Sequence, residues 1–370
     1  MLTAEGCRQR RQRLWQRLNP KPDAPRLLLN DPIHLSYFAN FSVDPFSLGS
    51  GFGGYLLVGP DGHATLFHDN RLPASVEAAH IEERHVIEWY DAQSPAAGPR
   101  RLALVNAVRE HAGFLFTDQG FRVHDQANDP FGPTLINTIA HMRRQKDPDE
   151  IALLRRCMQA TEVGHAWGRA HIKPGMTELD VYLGVSNACT KAVGDAIVVY
   201  GDFAVSPGPE RKGGPPTERV LQPGDLFILD FSVVINGYRS DFTNSLVVGK
   251  PPTPEQHRLC DLCKEAMAAG EKTLRAGAAC LDVYNAVNSA FAKAGMAEHF
   301  PHHAGHGLGL THPEAPYIVR HANETLLPGD VVTLEPGLYV KGVGGIRIEH
   351  NYLINQGGYE RLSNHRIELR

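Results

Sequence analysis

Two similar segments of the chain each place a carboxylate at the end of an apolar run. Residues 221–232 read LQPGDLFILDFS and residues 326–337 read LLPGDVVTLEPG. Asp230 and Glu335 take equivalent positions, 105 residues apart, where a buried strand would be expected to continue with an apolar residue. A buried charge is unfavourable unless it is paired or binds a metal ion. The repeated acid therefore indicates a chemical role.

A tight turn after the first carboxylate predicts which residue faces it. Asn236-Gly237 lies between two β-rich runs and is typical of a two-residue hairpin turn. Pairing around this turn sets residue 232 opposite Asp241, and Asp230 lies two residues along on the same face of its strand. The two carboxylates would then be diagonal neighbours about 7 Å apart, a separation that suits a shared cation.

The second carboxylate has an equivalent partner. The run LEPGLYVKGVGGIRIEHNYLI carries a glycine-rich turn, and a turn centred on Gly342 sets Glu335 opposite Glu349. Pro336 cannot donate a ladder hydrogen bond, so we expect its strand to be irregular there.

A histidine and an arginine complete this set. The segment HHAGHGLGLTHPEAP surrounds His306 with glycines that let the backbone pack closely. Two unit charges about 4 Å apart repel by about 4 kcal/mol at an effective dielectric constant of about 20, so protons or cations must compensate the four acids. One nitrogen and four oxygen donors without sulfur suit two divalent ions, manganese first, with cobalt, zinc or iron as alternatives. Arg347 lies on the same strand face as Glu349 and would offset its charge.

The composition of the chain is that of a soluble globular protein. Its 370 residues are 42% hydrophobic and 21% charged, with a net charge of −4, which suggests two domains and no nucleic-acid or membrane partner. No apolar stretch approaches the ~18 residues that a membrane span requires. Six scattered cysteines, including Cys260 and Cys263, fit core thiols in a reducing cytoplasm. The basic segment RQRRQRLWQRL is expected to be an amphipathic helix whose arginines face solvent.

Turn signals and periodicity divide the chain at the start of a helix. Residues 26–90 alternate short apolar runs with turns and predict strands, and residues 101–114 predict a helix. A longer helical pattern begins after Asp147, a suitable N-cap, with Glu150 in position for a capping box. We therefore expect two domains, 1–145 and 146–370.

An internal repeat runs through the second domain. Leu-Asp-Val-Tyr occurs at residues 179–182 and again at 281–284, an offset of 102 residues. Together with the repeated carboxylates, this indicates two similar halves, each a helix, a turn, a helix and strands. Two copies are too few for a solenoid, so we expect a pseudo-twofold domain with a site between its halves.

The second domain resembles the pita-bread metallopeptidases, the family of methionine aminopeptidase, Xaa-Pro aminopeptidase, prolidase and creatinase. The family's ligand order is Asp, Asp, His, Glu, Glu, which reads here as Asp230 in LDFS, Asp241 in YRSDFTN, His306 in GHGLGL, Glu335 in TLEPGLY and Glu349 in IRIEH. KDPDEIALLRR resembles the family's linker, and NDPIHLSYFANF and ATLFHDNR resemble its creatinase-type leading domain. The resemblance implies an α+β fold, in which a pita-bread catalytic domain with a pseudo-twofold repeat follows a smaller α/β creatinase-type N-terminal domain.

The resemblance also implies a role for each ligand. By the family pattern, Asp230 binds one metal ion through both oxygens, and His306 and Glu335 hold the other. Asp241 and Glu349 bridge the two ions. Glu335 is also expected to accept the proton of the attacking water.

Further residues are expected to act on the substrate or beside the ligands. His302 and His312 are the other catalytic candidates. The residues expected beside the metal ligands or the substrate are Arg347, His303, Tyr317 and Arg320. The chain departs from the family at Gly213 and Pro313, where histidines are common, and at Tyr317, where prolidases often place an arginine.

The function implied by this resemblance is hydrolysis of the peptide bond before proline in Xaa-Pro dipeptides or short peptides, by a cytoplasmic homodimer. Two alternatives remain open. One is a creatinase-like C–N hydrolase or a lyase that acts on a small non-peptide substrate. The other is a non-catalytic peptide-binding module.

Overall fold

The computed structural model describes residues 1–19, 26–42, 54–96, 98–111, 116–118, 131–206 and 213–370. These residues form two compact units, Met1–Arg143 and Arg144–Arg370. The sequence-based division between residues 145 and 146 remains a prediction of where one domain ends. Among the described helices, none combines the length and the apolar character needed to cross a bilayer.

The first unit is built on a five-stranded sheet. Its described elements are α1 (Ala4–Leu18), β1 (Leu27–Leu29), α2 (Pro32–Ala39), β2 (Gly54–Val58), β3 (Ala64–Asp69), α3 (Pro73–Glu77), β4 (Glu83–Ile87), α4 (Arg100–His111), β5 (Phe116–Thr117) and α5 (Phe131–Arg144). The strand order is β4-β3-β2-β1-β5, with antiparallel and parallel pairs. The strands predicted within residues 26–90 are thus confirmed. The helix predicted at 101–114 is α4, and residues 112–114 lie outside the described residues.

Two arginines of α1 are buried, which corrects the expectation of a solvated basic face. Arg10 and Arg11 are 0% and 1% exposed. Arg10 donates from Nε to the carbonyl oxygen of Tyr37 at 2.8 Å, and Arg11 pairs with Glu82 at 2.9 Å. Burial is tolerated because carbonyl and carboxylate oxygens satisfy the guanidinium donors. The prediction that these two arginines face solvent was wrong, because their hydrogen-bond partners come from distant segments of the chain.

The second unit contains two halves, and each begins with two helices that are followed by strands. The first half consists of α6 (Pro148–His171), α7 (Glu178–Val193), β6 (Val198–Val205), β7 (Leu226–Ile235), β8 (Tyr238–Arg239) and β9 (Phe242–Val247). The second half consists of α8 (Pro254–Glu271), α9 (Cys280–Lys293), a short 3₁₀ helix (Ala297–His299), β10 (Gly305–Gly307), β11 (Glu314–Ile318), β12 (Val331–Leu334), β13 (Gly337–Val340), β14 (Gly344–Arg347), β15 (His350–Ile354) and β16 (Tyr359–Arg361). The predicted capping box at the start of α6, with Asp147 and Glu150, is present.

The two halves repeat their backbone hydrogen bonds as well as their sequence. In the first half, the amide of Gly175 donates to the carbonyl of Leu221 at 3.0 Å. In the second half, the amide of Gly277 donates to the carbonyl of Leu326 at 2.8 Å. Each bond ties the turn before the second helix to the segment that leads into the carboxylate-bearing strand. The predicted pseudo-twofold repeat is therefore confirmed.

Both predicted hairpins have the expected register. Strands β7 and β9 pair Asp230 with Thr243, a register that sets residue 232 opposite Asp241. Strands β13 and β14 pair Gly337 with Arg347, and the ladder is interrupted at Glu335 and Pro336 between β12 and β13. The irregularity expected from the proline is present.

The core of the second half includes the thiols of the CxxC segment. Cys260 and Cys263 lie on α8 among buried apolar side chains, and both are free thiols. Burial raises the pKa of Cys263 well above its ordinary value. An inert core role, as expected from the sequence, follows from this burial.

Candidate metal centre

Side chains from both halves of the second unit line one cavity of about 240 Å³. The lining residues are Tyr200, Gly201, Asp202, Asp230, Ser232, Asp241, His302, His303, His306, His312, Glu335, Arg347 and Glu349. The five residues that we predicted as metal ligands are all in this wall. The structure thus brings together residues that are up to 119 positions apart in the chain.

The first hairpin supplies two carboxylates. Asp230 lies within β7 and Asp241 immediately precedes β9. Carboxylate oxygens of Asp230, Asp241 and Glu349 lie within 4.8 Å of one another. The Ser232 hydroxyl lies 3.5 Å from Oδ1 of Asp241, as the hairpin register requires.

The second half supplies two glutamates from breaks between strands. Glu335 follows β12, and Glu349 lies between β14 and β15. The Thr333 hydroxyl donates to Oε1 of Glu335 at 3.1 Å. The Thr243 hydroxyl donates to Oε2 of Glu349 at 2.7 Å. Each glutamate therefore keeps one oxygen fixed by a neighbouring threonine.

His306 is oriented by its own strand. Its Nδ1–H donates to the carbonyl oxygen of Gly307 at 2.9 Å, which leaves Nε2 as the acceptor nitrogen. Nε2 lies 3.5 Å from Oδ2 of Asp241 and 3.5 Å from Oε1 of Glu335. A Cβ atom on Gly305 would lie 2.1 Å from the carbonyl oxygen of Thr333, so β10 can approach β12 this closely only with glycine there.

Hydrogen bonds between the halves hold the carboxylates together. The Asp241 amide donates to Oδ1 of Asn351 at 3.2 Å, and the Asn351 side chain donates back to the Asp241 carbonyl. The Ser245 hydroxyl donates to the carbonyl oxygen of Arg347 at 3.0 Å. Strand β9 and the residue before it are thereby attached to β14 and β15, the strands on either side of Glu349.

The carboxylates lie close enough together to shift one another's pKa values. Burial raises the pKa of Asp230 to about 7; Arg347 opposes this rise, and Asp241 adds to it. Burial and the acids Asp241, Glu335 and Asp230 raise the pKa of Glu349 well above its ordinary value. The site therefore favours a positive charge among its oxygens.

The family model for metallopeptidase family M24 matches residues 152–356, more than half of the chain. This chain belongs to metallopeptidase family M24. It is 27% identical over 347 residues to an uncharacterised peptidase of Staphylococcus aureus, which covers 91% of this chain and 94% of that protein.

Solved structures share the M24 fold over nearly the whole chain. An Xaa-Pro dipeptidase from Bacillus anthracis is 24% identical, with a TM-score of 0.76 and coverage of 99% of each chain. A prolidase from Pyrococcus furiosus is 21% identical, with a TM-score of 0.74 and coverage of 95% of this chain and 99% of that one. The predicted family and the predicted α+β pita-bread fold are confirmed.

Membership in a metallopeptidase family implies divalent metal ions, and the residues of this M24 site fit them. Among the described residues, Oδ1 of Asp230 and Oε1 of Glu349 are buried and have no hydrogen-bond partner. A buried carboxylate oxygen without a partner is strongly unfavourable. A divalent cation would satisfy both atoms, and the imidazole nitrogen of His306 completes a donor set of the kind that first-row metals accept.

Three further histidines lie beside the five residues predicted to bind metal. His312 Nε2 lies 2.7 Å from Oδ2 of Asp241. Burial alone would lower the pKa of His312, but this hydrogen bond raises it overall. His303 Nδ1 lies 3.4 Å from Oε1 of Glu335. Burial lowers the pKa of His302 to about 4. All three predicted histidines therefore lie in the cavity.

Arg347 also lies in this wall, beside the predicted ligand Asp230. Its guanidinium donates to Asp230, to Oδ2 of Asp202 at 2.7 Å and to Oη of Tyr339 at 2.9 Å. Sequence reasoning missed Asp202 and Tyr200, which line the same cavity. Both lie in the apolar run IVVYGDFAV, and an acid within an apolar strand is the signal that had identified Asp230.

Two residues expected at the substrate lie away from the cavity wall. Tyr317 is 42% exposed on β11, the edge strand of its sheet. Arg320 donates from Nε to Oη of Tyr284 at 3.4 Å. Neither side chain is part of the wall described above, and the substrate contact expected of each remains a prediction.

Proposed function

We propose that this M24 protein is a dinuclear metal-dependent hydrolase that cleaves the peptide bond before proline in Xaa-Pro dipeptides or short peptides. The observation that carries the proposal is the convergence of four carboxylates and His306 in one cavity, with unpaired oxygens on two of them. The solved structures that share its fold include proteins named prolidase and Xaa-Pro dipeptidase. These names favour proline peptides among the substrates of the family.

In this proposal, two divalent ions are held by Asp230, Asp241, His306, Glu335 and Glu349. Manganese suits such an oxygen-rich donor set, as do cobalt, zinc and iron. Bound ions of this kind lower the pKa of water and polarise carbonyl groups.

Glu335 is the residue that we propose to accept the proton of the attacking water. Burial alone would raise the pKa of Glu335, but His303 and His306 lower it overall. The carboxylate is therefore ionised near neutral pH and able to take up a proton. The hydroxyl of Thr333 on Oε1 holds the side chain in one orientation.

Two histidines are proposed to act on the substrate. His312 is held by Asp241, and its raised pKa favours a proton that it can supply to the leaving nitrogen. His302 donates from Nδ1 to the carbonyl oxygen of His303 at 2.7 Å. Its Nε2 then remains as an acceptor, without a partner among the described residues. A hydrogen-bond donor of the substrate would satisfy it.

A creatinase-like C–N hydrolase or a lyase acting on a small non-peptide substrate is the second candidate. The cavity of about 240 Å³ is smaller than the ~300–1,000 Å³ that is typical of ligand sites. Tyr317 and Arg320 also lie outside its wall, so the cavity wall gives no support to the carboxylate contact that a dipeptidase would need. Both observations suit a compact substrate.

A metal-supplemented activity screen tests the proposal. The protein is treated with a chelator, returned to Mn²⁺ or Co²⁺, and assayed with Ala-Pro and Ala-Pro-Ala. Ala-Gly serves as the matched peptide without proline, and creatine as the small non-peptide substrate. We expect alanine release from the proline peptides only after metal is returned, at a rate at least about tenfold above that for Ala-Gly, a difference of about 1.4 kcal/mol.

The other outcomes separate the alternatives. Full activity after exhaustive metal removal would contradict a metal-dependent mechanism. Turnover of creatine without turnover of proline peptides would favour the second candidate. Stoichiometric bound metal without any turnover would favour the peptide-binding module.

A further inference from the structure

Asp202 places a carboxylate in the cavity in addition to the proposed metal ligands. It lies on β6 directly opposite Asp230 on β7, and it lines the cavity. Its side chain is 33% exposed, whereas that of Asp230 is 15% exposed. Asp202 is therefore the more accessible of the two acids to a molecule that enters the cavity.

One oxygen of Asp202 is held and the other is available. Arg347 donates from Nη2 to Oδ2 of Asp202 at 2.7 Å. Within the described part of the chain, Oδ1 of Asp202 accepts no hydrogen bond. A carboxylate accepts hydrogen bonds on both oxygens, so Oδ1 can bind a donor from a substrate while Arg347 keeps the side chain in place.

Gly213 makes room for this carboxylate. A Cβ atom on Gly213 would lie 2.0 Å from Oδ2 and 2.5 Å from Cγ of Asp202, which is far inside van der Waals contact. Any larger residue at position 213 would displace the Asp202 side chain. The glycine and the acid are therefore one structural feature, in which an acid fills the space that a side chain at 213 would otherwise occupy.

Asp202 can bind a cationic group although the total charge of the cavity is balanced, because Arg347 occupies only one of its two oxygens. Two divalent ions would balance the carboxylates of Asp230, Asp241, Glu335 and Glu349. Among the described lining residues, Arg347 is the one lysine or arginine, and it divides its donors between Asp202 and Asp230. A hydrogen bond between two charged groups is stronger than one between neutral groups. A protonated amine is thus better matched to this part of the wall than a carboxylate.

We propose that Asp202 binds the protonated amino group at the N-terminal end of the substrate and selects substrates that carry a free amine. This inference rests on the proposed hydrolysis, because it names the substrate group that the same cavity recognises. Asp202 is a specificity residue in this role, and Arg347 is the residue that positions it.

The test compares a substrate that has the amine with an analogue that lacks it. Alanyl-prolinamide provides KM, and propionyl-prolinamide, which has the same shape without the amine, provides a competitive inhibition constant. Both are measured on the metal-loaded enzyme, with bound metal determined for each variant. Asp202→Asn keeps the size of the side chain and removes its charge. Asp261→Asn, at an exposed position on α8, is the matched control.

We expect D202N to raise KM for alanyl-prolinamide about tenfold, which is about 1.4 kcal/mol, and to leave inhibition by propionyl-prolinamide within about twofold. Gly213→Ala should produce the same selective rise, since its Cβ displaces Asp202 without changing any charge. It also serves as the second variant if D202N does not fold. D261N should match the wild type.

Each other result overturns a defined part of the proposal. Equal changes in both constants, or no change in either, would show that Asp202 does not recognise the amine. If the wild type hydrolyses no Xaa-Pro substrate, the proposed hydrolysis fails and calorimetry with alaninamide and propionamide tests the amine site separately. A preference for alaninamide that D202N abolishes would support that site, and an unchanged preference would exclude it.

Discussion

Glu335 differs from Glu349, the other glutamate of the M24 cavity, in the imidazoles that lie beside it. His303 and His306 lie 3.4 Å and 3.5 Å from its Oε1 atom. These rings lower its pKa, whereas burial and neighbouring acids raise the pKa of Glu349. The two glutamates of the same cavity therefore have pKa values shifted in opposite directions, which fits the proposal that Glu335, and not Glu349, accepts the proton of the attacking water.

Glu335→Gln should keep the fold and lose turnover. We expect kcat on Ala-Pro to fall by at least about 100-fold, because a positioned base contributes about 10²–10⁴-fold to a rate. Steady-state kinetics, far-UV circular dichroism and metal analysis are the measurements. Glu265→Gln, an exposed acid on α8, is the control. Wild-type rates in E335Q would exclude the proposed role.

Glu349→Gln should have opposite effects on stability with and without metal. In the metal-free protein, burial and three neighbouring acids raise the pKa of Glu349, so folding must either bury its charge or take up a proton. Glutamine avoids both costs, so the melting temperature should rise by several degrees. In the Mn²⁺-loaded protein the substitution removes a ligand charge, so the stabilisation by metal should be smaller than in the wild type. Thermal melts across a metal titration measure both effects. Parallel curves for the two proteins would show that Glu349 does not bind the ion.

At the scale of elements, the two halves differ in how their second helix begins. Thr177 caps α7, with Asp180 completing a capping box. The equivalent position before α9 is Ala279, which offers no side-chain cap, although its backbone is extended and Asp282 lies in the first turn. The repeat therefore provides a matched pair of helix starts, one capped and one uncapped.

Ala279→Thr should stabilise the protein, and Thr177→Ala should destabilise it, each by about 1 kcal/mol. The physical reason is that the hydroxyl of an N-cap threonine can accept a hydrogen bond from the amide of the second or third residue of the helix. Free energies of unfolding from urea titrations measure both variants, and activity is expected to be unchanged. A loss of stability in A279T would mean that the hydroxyl cannot reach the first turn of α9.

A second packing feature joins helix α6 to strand β9 through a buried histidine. His165 stacks on Phe231 and Phe242, and its Nε2–H donates to the carbonyl oxygen of Phe242 at 3.0 Å. Burial lowers the pKa of His165 from 6.5 to about 3. The folded protein thus keeps this ring neutral at pH values where the unfolded chain binds a proton.

This difference predicts the direction of a pH effect on stability. The unfolded chain binds a proton to this histidine below about pH 6.5 and the folded chain only near pH 3, so the free energy of unfolding should fall as pH drops through this window. His165→Gln keeps a hydrogen-bond donor and should flatten the fall. His171→Gln, at the exposed end of the same helix, should leave the fall in the free energy of unfolding unchanged. Urea titrations between pH 7 and about pH 4 measure the slopes, and identical slopes for all three proteins would contradict the assignment.

At the scale of the whole molecule, we propose a homodimer, on the resemblance of the first unit to creatinase-type leading domains. Light scattering coupled to size-exclusion chromatography should give about twice the chain mass of 40.7 kDa. A monomer at micromolar concentration would reject the proposal.

The sequence by itself determined the five proposed ligands and the repeat that presents them. Asn236-Gly237 sets the register of β7 against β9, and the glycine turn at Gly342 sets β13 against β14. Register follows directly from such a turn, because only a few residues separate the paired strands. The position of Asp241 relative to Asp230, and of Glu349 relative to Glu335, was therefore readable from local residues.

Only the tertiary structure determines which distant side chains line that cavity and which lie outside it. Asp202 on β6 pairs with Asp230 on β7 although the two residues are 28 positions apart in the chain. The sequence between them has no tight turn from which this pairing could be predicted. The burial of Arg10 and Arg11 depends on carbonyl oxygens supplied by other segments, and Tyr317 is exposed because β11 is an edge strand. In each case the outcome depends on long-range pairing and packing, whose partners a local sequence pattern does not contain.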